Sequence, residues 1–232
     1  MPLPKIEHPT FALEVPSTKK KVTFRPFLVK EEKMLLMAKN TEQTDDIINT
    51  VKQVIQNCVI EPIDADKLAI FDIEYIFLQL RAKSISETVD VIVTCDCGNK
   101  IETTFSIDNL IVENSSNHTN KIMLTETYGV EMGYPPFKEV VDVFASSETT
   151  KIIDLIINSI LGVFDESNYW SMKDQPIEEI ENFVYSLTKE QFDKIEAFVD
   201  NMPKLEKKIS FICNKCGYNH NINVQGLDDF FS

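Results

Sequence analysis

With 232 residues, 43% of them hydrophobic and 26% charged, the chain can bury one large core or two small ones. A formal net charge of −14 and a pI near 4.7 argue against nucleic-acid binding, because that affinity rests on Lys and Arg neutralising phosphates. The acidity serves solubility or steers a basic partner. No apolar run reaches the roughly 18 residues of a membrane span. Met1-Pro-Leu-Pro-Lys-Ile6 lacks the apolar core of a secretory signal, so a reducing cytoplasm is the expected setting.

Residues 10–15 and 20–25 alternate around Pro16-Ser-Thr-Lys19, which predicts a β-hairpin. The period then changes. Val29, Lys33, Leu36 and Met37 fall on one face of a helix over 29–39, with Glu31 and Glu32 in the first turn, where acidic groups complement the helix dipole. A second helix is expected over 44–57, with Ile47, Ile48, Val51, Val54 and Ile55 at spacings of three and four, and a third over about 66–82. Between these elements, Pro26 ends the hairpin's ladder because it has no amide to donate. Phe24 and Phe27 are expected to anchor the first helix, and Arg25 to pair with Glu31 or Glu32.

From Thr88 to Ile107 the period returns to two. Strands follow at 121–124 and 128–132, and Tyr134-Pro-Pro136 breaks the chain. Helical patterns then cover about 137–145, 148–162, 176–186 and 189–201. The last opens on Thr188-Lys-Glu-Gln191, a capping box in which side chains satisfy the free amides of the first turn. The apolar positions of 137–201 exceed one narrow stripe, so most should be core and the rest a partner surface. Alternation resumes over 207–212.

Two alternating segments end in matched clusters, Cys95-Asp-Cys97-Gly98 and Cys213-Asn-Lys-Cys216-Gly217, each followed by glycine and a returning strand. Glycine permits such a turn because it tolerates positive φ. Short-spaced cysteine pairs are the usual ligands of a structural zinc, which takes four thiolates at about 2.3 Å, and in a reducing compartment they favour metal over disulfide. Residues 88–111 and 206–231 therefore read as two copies of one unit, a zinc ribbon interrupted by an insertion; two unrelated hairpins with unmetallated thiols are the alternative. Closing the intervening loop costs about 4 kcal/mol, against roughly 10–16 kcal/mol from structural zinc. The expected ligands are Cys95, Cys97, Cys213 and Cys216, holding one structural Zn2+ per chain. Four thiolates leave no open catalytic position. A redox role is disfavoured, because a thioredoxin-type pair should open a helix. Cys58 reads as a buried thiol, His220 as an exposed strand residue, and His8 and His118 as residues of polar, turn-rich surroundings.

No phosphate loop, nucleophile elbow, His-Glu-x-x-His or dinucleotide fingerprint occurs. The adjacent pairs Glu31-Glu32 and Glu178-Glu179 diverge on a helix. No catalytic or cofactor-binding residue is assigned, and the chain is not expected to be an enzyme.

Phe24-Arg-Pro-Phe-Leu-Val-Lys-Glu-Glu-Lys33, with Met1-Pro-Leu-Pro-Lys-Ile, His8-Pro-Thr-Phe, Phe71-Asp-Ile-Glu-Tyr-Ile-Phe-Leu78, Met202-Pro-Lys-Leu205 and Gly226-Leu-Asp-Asp-Phe-Phe, resembles the baseplate hub subunits and hub assembly proteins of T-even-like contractile-tailed bacteriophages. The resemblance spans essentially the whole chain. It implies a non-enzymatic role in virion assembly, made in the infected bacterial cytoplasm, with other tail and hub proteins as partners and the tape-measure protein among the candidates. The rival reading is an independent zinc-ribbon adaptor associated with transcription. The expected fold class is α+β: helical segments, a mainly antiparallel sheet and a split zinc-ribbon-like four-cysteine site. The expected division is an N-terminal hairpin arm (1–27), a helical domain (28–84), a ribbon-like β domain (85–134 with 205–232) and a helical insertion (135–204).

Overall fold

A computed structural model describes residues 6–41, 44–107, 112–113, 118–145 and 149–225. In chain order the elements are β1 (Phe11–Glu14), β2 (Lys21–Phe24), α1 (Val29–Thr41), α2 (Thr44–Cys58), α3 (Ile70–Ser84), β3 (Thr88–Thr94), β4 (Lys100–Ser106), β5 (Val112–Glu113), β6 (Lys121–Met123) and β7 (Gly129–Met132). Then come α4 (Phe137–Ala145), α5 (Thr149–Asn158), β8 (Ile160–Phe164), β9 (Tyr169–Ser171), α6 (Ile177–Tyr185), α7 (Lys189–Asp200), β10 (Lys204–Ile212) and β11 (Asn219–Gln225). All strand pairs among the described residues are antiparallel, and the fold class is α+β as read from the sequence. The chain forms two compact units: residues 1–65, 71–113 and 204–232, and residues 66–70 and 114–203.

In the first unit β1 and β2 pair with Phe11 opposite Phe24 and Leu13 opposite Val22. Residues of this hairpin reach both neighbouring helices. Ser17 in its turn donates through its backbone amide (2.9 Å) and its hydroxyl to the buried carboxylate of Asp72 on α3. The end of α2 extends the ladder, since Arg25 N–H donates to Cys58 O at 3.0 Å and Ile60 N–H to Thr23 O at 2.8 Å. Phe24 is buried, and Phe27 packs on Phe77 with ring centroids 5.7 Å apart.

Helix α1 turns the other way from the face that its periodicity suggested. Val29, Leu36 and Met37 are 80%, 58% and 61% exposed, while Glu31 is fully buried. The reason is Arg25, whose guanidinium meets the Glu31 carboxylate at 3.0 and 3.3 Å. Leu28 N–H donates to the same carboxylate at 2.9 Å, closing the first turn as a cap. Helix α3 begins at Ile70, later than expected: Ala65–Lys67 form a separate 3-10 turn, and Leu68 O accepts from Phe137 N–H at 2.7 Å. It is buried on almost every face, including Phe71, Ile73, Ile76, Phe77, Leu78 and Leu80. Its inner side joins Val89, Phe105, Ile107, Leu205, Ile209 and Val224 in one cluster, which packs α3 against both cysteine-bearing hairpins.

In the second unit a four-stranded sheet of order β6-β7-β8-β9 packs on α5, α6 and α7 through Val130, Met132, Ile156, Ile160, Val163, Ile180, Val184, Ile195 and Phe198. Strands β8 and β9 are absent from the sequence reading, which ran a helix through 148–162. The helix stops at Asn158, where the Ser159 hydroxyl donates to Leu155 O at 2.7 Å and Gly133 N–H donates to Ser159 O at 2.7 Å. β8 then pairs with β7 across a bulge at Glu131/Met132. Strands β6 and β7, grouped by pattern with residues 85–134, hydrogen-bond within this sheet. The capping box at Thr188 forms as read, with Gln191 N–H on the Thr188 hydroxyl at 3.3 Å and Thr188 N–H on Gln191 Oε1 at 2.9 Å.

Candidate metal centre

Hairpins β3–β4 and β10–β11 each run down one strand, turn at a cysteine pair and return. The turn closures match: Cys95 N–H donates to Asn99 O at 2.8 Å and Gly98 N–H to Cys95 O at 2.8 Å, while Cys213 N–H donates to Tyr218 O at 2.8 Å and Gly217 N–H to Cys213 O at 2.9 Å. Gly98 and Gly217 stand at φ +77° and +75° with open space where a Cβ would sit. Conformation, not crowding, is what requires glycine at both. The extra residue of the second knuckle is absorbed in the turn, so Cys95 and Cys213 occupy equivalent first positions and Cys97 and Cys216 equivalent last ones.

The two knuckles meet. Cys95 Sγ lies 3.6 Å from Cys216 Sγ, and Cys97 Sγ 3.8 Å from Cys213 Sγ; all four sulfurs lie within 4.8 Å of one another. Four sulfurs at about 2.3 Å from one tetrahedral ion would stand about 3.75 Å apart, close to both of these contacts. A disulfide needs about 2.05 Å, and all four cysteines are free. The cluster could therefore hold a metal ion. Cys95 and Cys213 are buried, while Cys97 and Cys216 reach solvent.

The electrostatics point the same way. The Cys213 thiol is pulled down to about 6, chiefly by the Cys216 backbone N–H, helped by Lys215 N–H and the Asn99 side chain. At Cys95 the equivalent N–H of Cys97 also favours the thiolate, but burial and the neighbouring sulfurs push it up to about 12. Cys216 is raised as well, the neighbouring sulfur of Cys213 and burial outweighing the Tyr218 N–H. Four sulfurs this close admit one negative charge readily and further ones only with a cation among them.

Asn99 was not singled out by its sequence context. Its Nδ2 donates to Asn214 Oδ1 at 2.8 Å and to Cys213 Sγ at 3.6 Å, tying one knuckle to the other; its only sequence signal is its place directly after Gly98. His220 stays away from the sulfurs, as read, but it is half-buried rather than exposed. It stacks on Phe211 at 5.2 Å and lies edge-on to Tyr218 at 4.8 Å. His118 also departs from expectation. Its ring stacks against Phe198 at 4.4 Å and Tyr134 at 5.7 Å, and burial lowers its pKa. Cys58 is buried as read, its thiol pushed up to about 11 by desolvation.

This is an α+β chain whose two hairpins bring four thiols together in a ribbon-like cluster that could hold a metal ion. The chain belongs to the T4 bacteriophage base plate protein family, whose model matches residues 8–232. That places it among the components of a phage tail. No curated protein and no solved structure matches it. Among the described residues no helix is long and apolar enough to cross a membrane.

Proposed function

We propose that the chain is a non-enzymatic baseplate hub component or hub assembly factor that acts through contacts with other tail proteins. The family match over residues 8–232 carries the reading. It is supported by the sequence, which offers no catalytic motif. Assembly takes place in the host cytoplasm, before or during incorporation into the tail. The four cysteines Cys95, Cys97, Cys213 and Cys216 bind one Zn2+, which ties the turns of the two hairpins together beyond the core they share with α3. The ion stabilises the fold and takes no part in chemistry, since four thiolates would fill a tetrahedral shell.

Coexpression with the hub and tape-measure proteins of the same phage, followed by affinity capture of the tagged chain, tests the role. A defined complex with at least one of them, and loss of infectious particles on deletion of the gene, is the expected result. No complex with any tail protein, together with normal particles after deletion, would overturn it.

A further inference from the structure

The four thiols at the hairpin tips fall into two pairs, and each pair crosses from one hairpin to the other. Cys95 Sγ lies 3.6 Å from Cys216 Sγ, and Cys97 Sγ 3.8 Å from Cys213 Sγ. Each pair joins a buried thiol, Cys95 or Cys213, to one that reaches solvent, Cys216 or Cys97. An accessible sulfur in contact with a second one is the arrangement of an attacked and a resolving cysteine. A disulfide needs about 2.05 Å between sulfurs, so each pair has to close by less than about 2 Å. Side-chain rotation at a turn supplies that.

The apposition does not depend on an ion. Below the turns the hairpins share a core with α3 through Leu78, Phe105, Leu205 and Ile209. At the tips Asn99 Nδ2 donates to Asn214 Oδ1 at 2.8 Å. The sulfurs therefore stay within reach of one another when a metal leaves. Pairing inside a knuckle is the competing product, Cys95 with Cys97 or Cys213 with Cys216. The cross pairs instead join positions 121 and 116 residues apart. A disulfide stabilises more the longer the loop that it closes in the unfolded chain, so exchange favours the cross pairs.

We propose that Cys95 with Cys216, and Cys97 with Cys213, are two disulfide sites, closed by a peroxide, that take over from the metal in holding the hairpins together. The proposal rests on the four-cysteine metal reading and gives that centre an oxidised form. It is a stoichiometric closure, distinct from the catalytic exchange of a thioredoxin-type pair. The accessible thiolate attacks one peroxide oxygen, the O–O bond breaks, hydroxide leaves and a sulfenic acid remains. The buried partner thiolate then attacks that sulfur, expels a second hydroxide and closes the S–S bond. Two peroxides thus oxidise four thiolates to two disulfides and are reduced to four hydroxides. The metal is set free, because only thiolates ligate it. Disulfides persist at virion surfaces, and a tail component leaves the reducing cell with its particle.

The test uses the full chain, loaded with zinc and treated with hydrogen peroxide in the presence of a zinc indicator. The product is alkylated, denatured and digested without reduction. Trypsin cuts after Lys215 and an Asp-specific protease before Asp96, so the four cysteines fall on separate peptides and mass spectrometry reads each pairing. The expected result is release of the zinc by about two equivalents of peroxide, with peptides of Cys95 joined to Cys216 and of Cys97 joined to Cys213. The oxidised, metal-free chain should melt above the reduced, chelated one, and dithiothreitol with zinc should restore the starting state. Pairing within the knuckles, sulfinic acids at these positions, or an oxidised chain no more stable than the reduced metal-free one would overturn the proposal and leave the zinc reading standing. Cross pairs formed by a chain that binds no zinc would overturn the zinc reading and support the disulfide sites.

Discussion

Arg25→Ala removes the partner of the most deeply placed charge in the first unit. The Glu31 carboxylate has no exposed surface, and Arg25 contacts it at 3.0 and 3.3 Å while also donating to Pro26 O at 3.0 Å and Asn57 O at 2.9 Å. Breaking a buried pair from one side costs about 3–5 kcal/mol, because the remaining charge stays buried. Lys30 Nζ lies 3.3 Å from Glu31 on a side chain that is largely exposed and can recover part of this. The expected loss is therefore near the lower end, about 3 kcal/mol. Arg25→Lys keeps the charge but not the two-pronged geometry, and should fall between the variant and the natural chain. Because the single tryptophan is in the second unit, its fluorescence would not follow this change. Native-state hydrogen exchange of the α1 and α2 amides in urea does. Burial opposes the charged form of Glu31, but hydrogen bonds from Arg25 and Leu28 N–H outweigh it and hold the pKa below the usual carboxylate range. A lowered folded pKa means the pair stabilises fully above about pH 4.3, the unfolded value, and is lost as pH falls through the folded one. The natural and Arg25→Ala proteins should converge in acid. A loss below about 1 kcal/mol at neutral pH, the worth of a solvent-exposed pair, would refute the claim that this ion pair sets the orientation of α1.

Elemental analysis of freshly purified protein should find one zinc per chain, and a chelator should lower the thermal midpoint; absence of stoichiometric metal would remove the centre. Cys213→Ser should lose exchange protection in β3–β4 and β10–β11 while residues 26–84 remain protected, whereas uniform loss along the chain would contradict a locally acting staple. Acidification should release the metal with uptake of protons by the sulfurs, since only thiolates ligate; spectroscopic titration with a zinc indicator should show the affinity falling steadily below neutral pH. Thr188→Ala breaks the capping box of α7 and should cost about 1 kcal/mol, read by urea unfolding with Trp170 as probe.

Local spacing carried the cysteine knuckles. Two cysteines, a glycine at positive φ and flanking alternation specify a turn whatever surrounds it, and the capping box at Thr188 is legible for the same reason. The apposition of Cys95 with Cys216 and of Cys97 with Cys213 needed the packing of both hairpins against α3, through Leu78, Val89, Phe105, Leu205 and Ile209. Elsewhere local pattern was ambiguous. Ile160-Leu-Gly-Val-Phe164 continues the apolar run of α5, and a short apolar segment reads equally as helix or strand. Backbone pairing with β7 resolves it. In α1 the periodicity of Val29, Leu36 and Met37 pointed to one face, yet the helix buries Glu31 instead. An apolar stripe stabilises by burying area, whereas a carboxylate already held by Arg25 and the Leu28 amide is fixed in place by geometry that only the folded hairpin supplies.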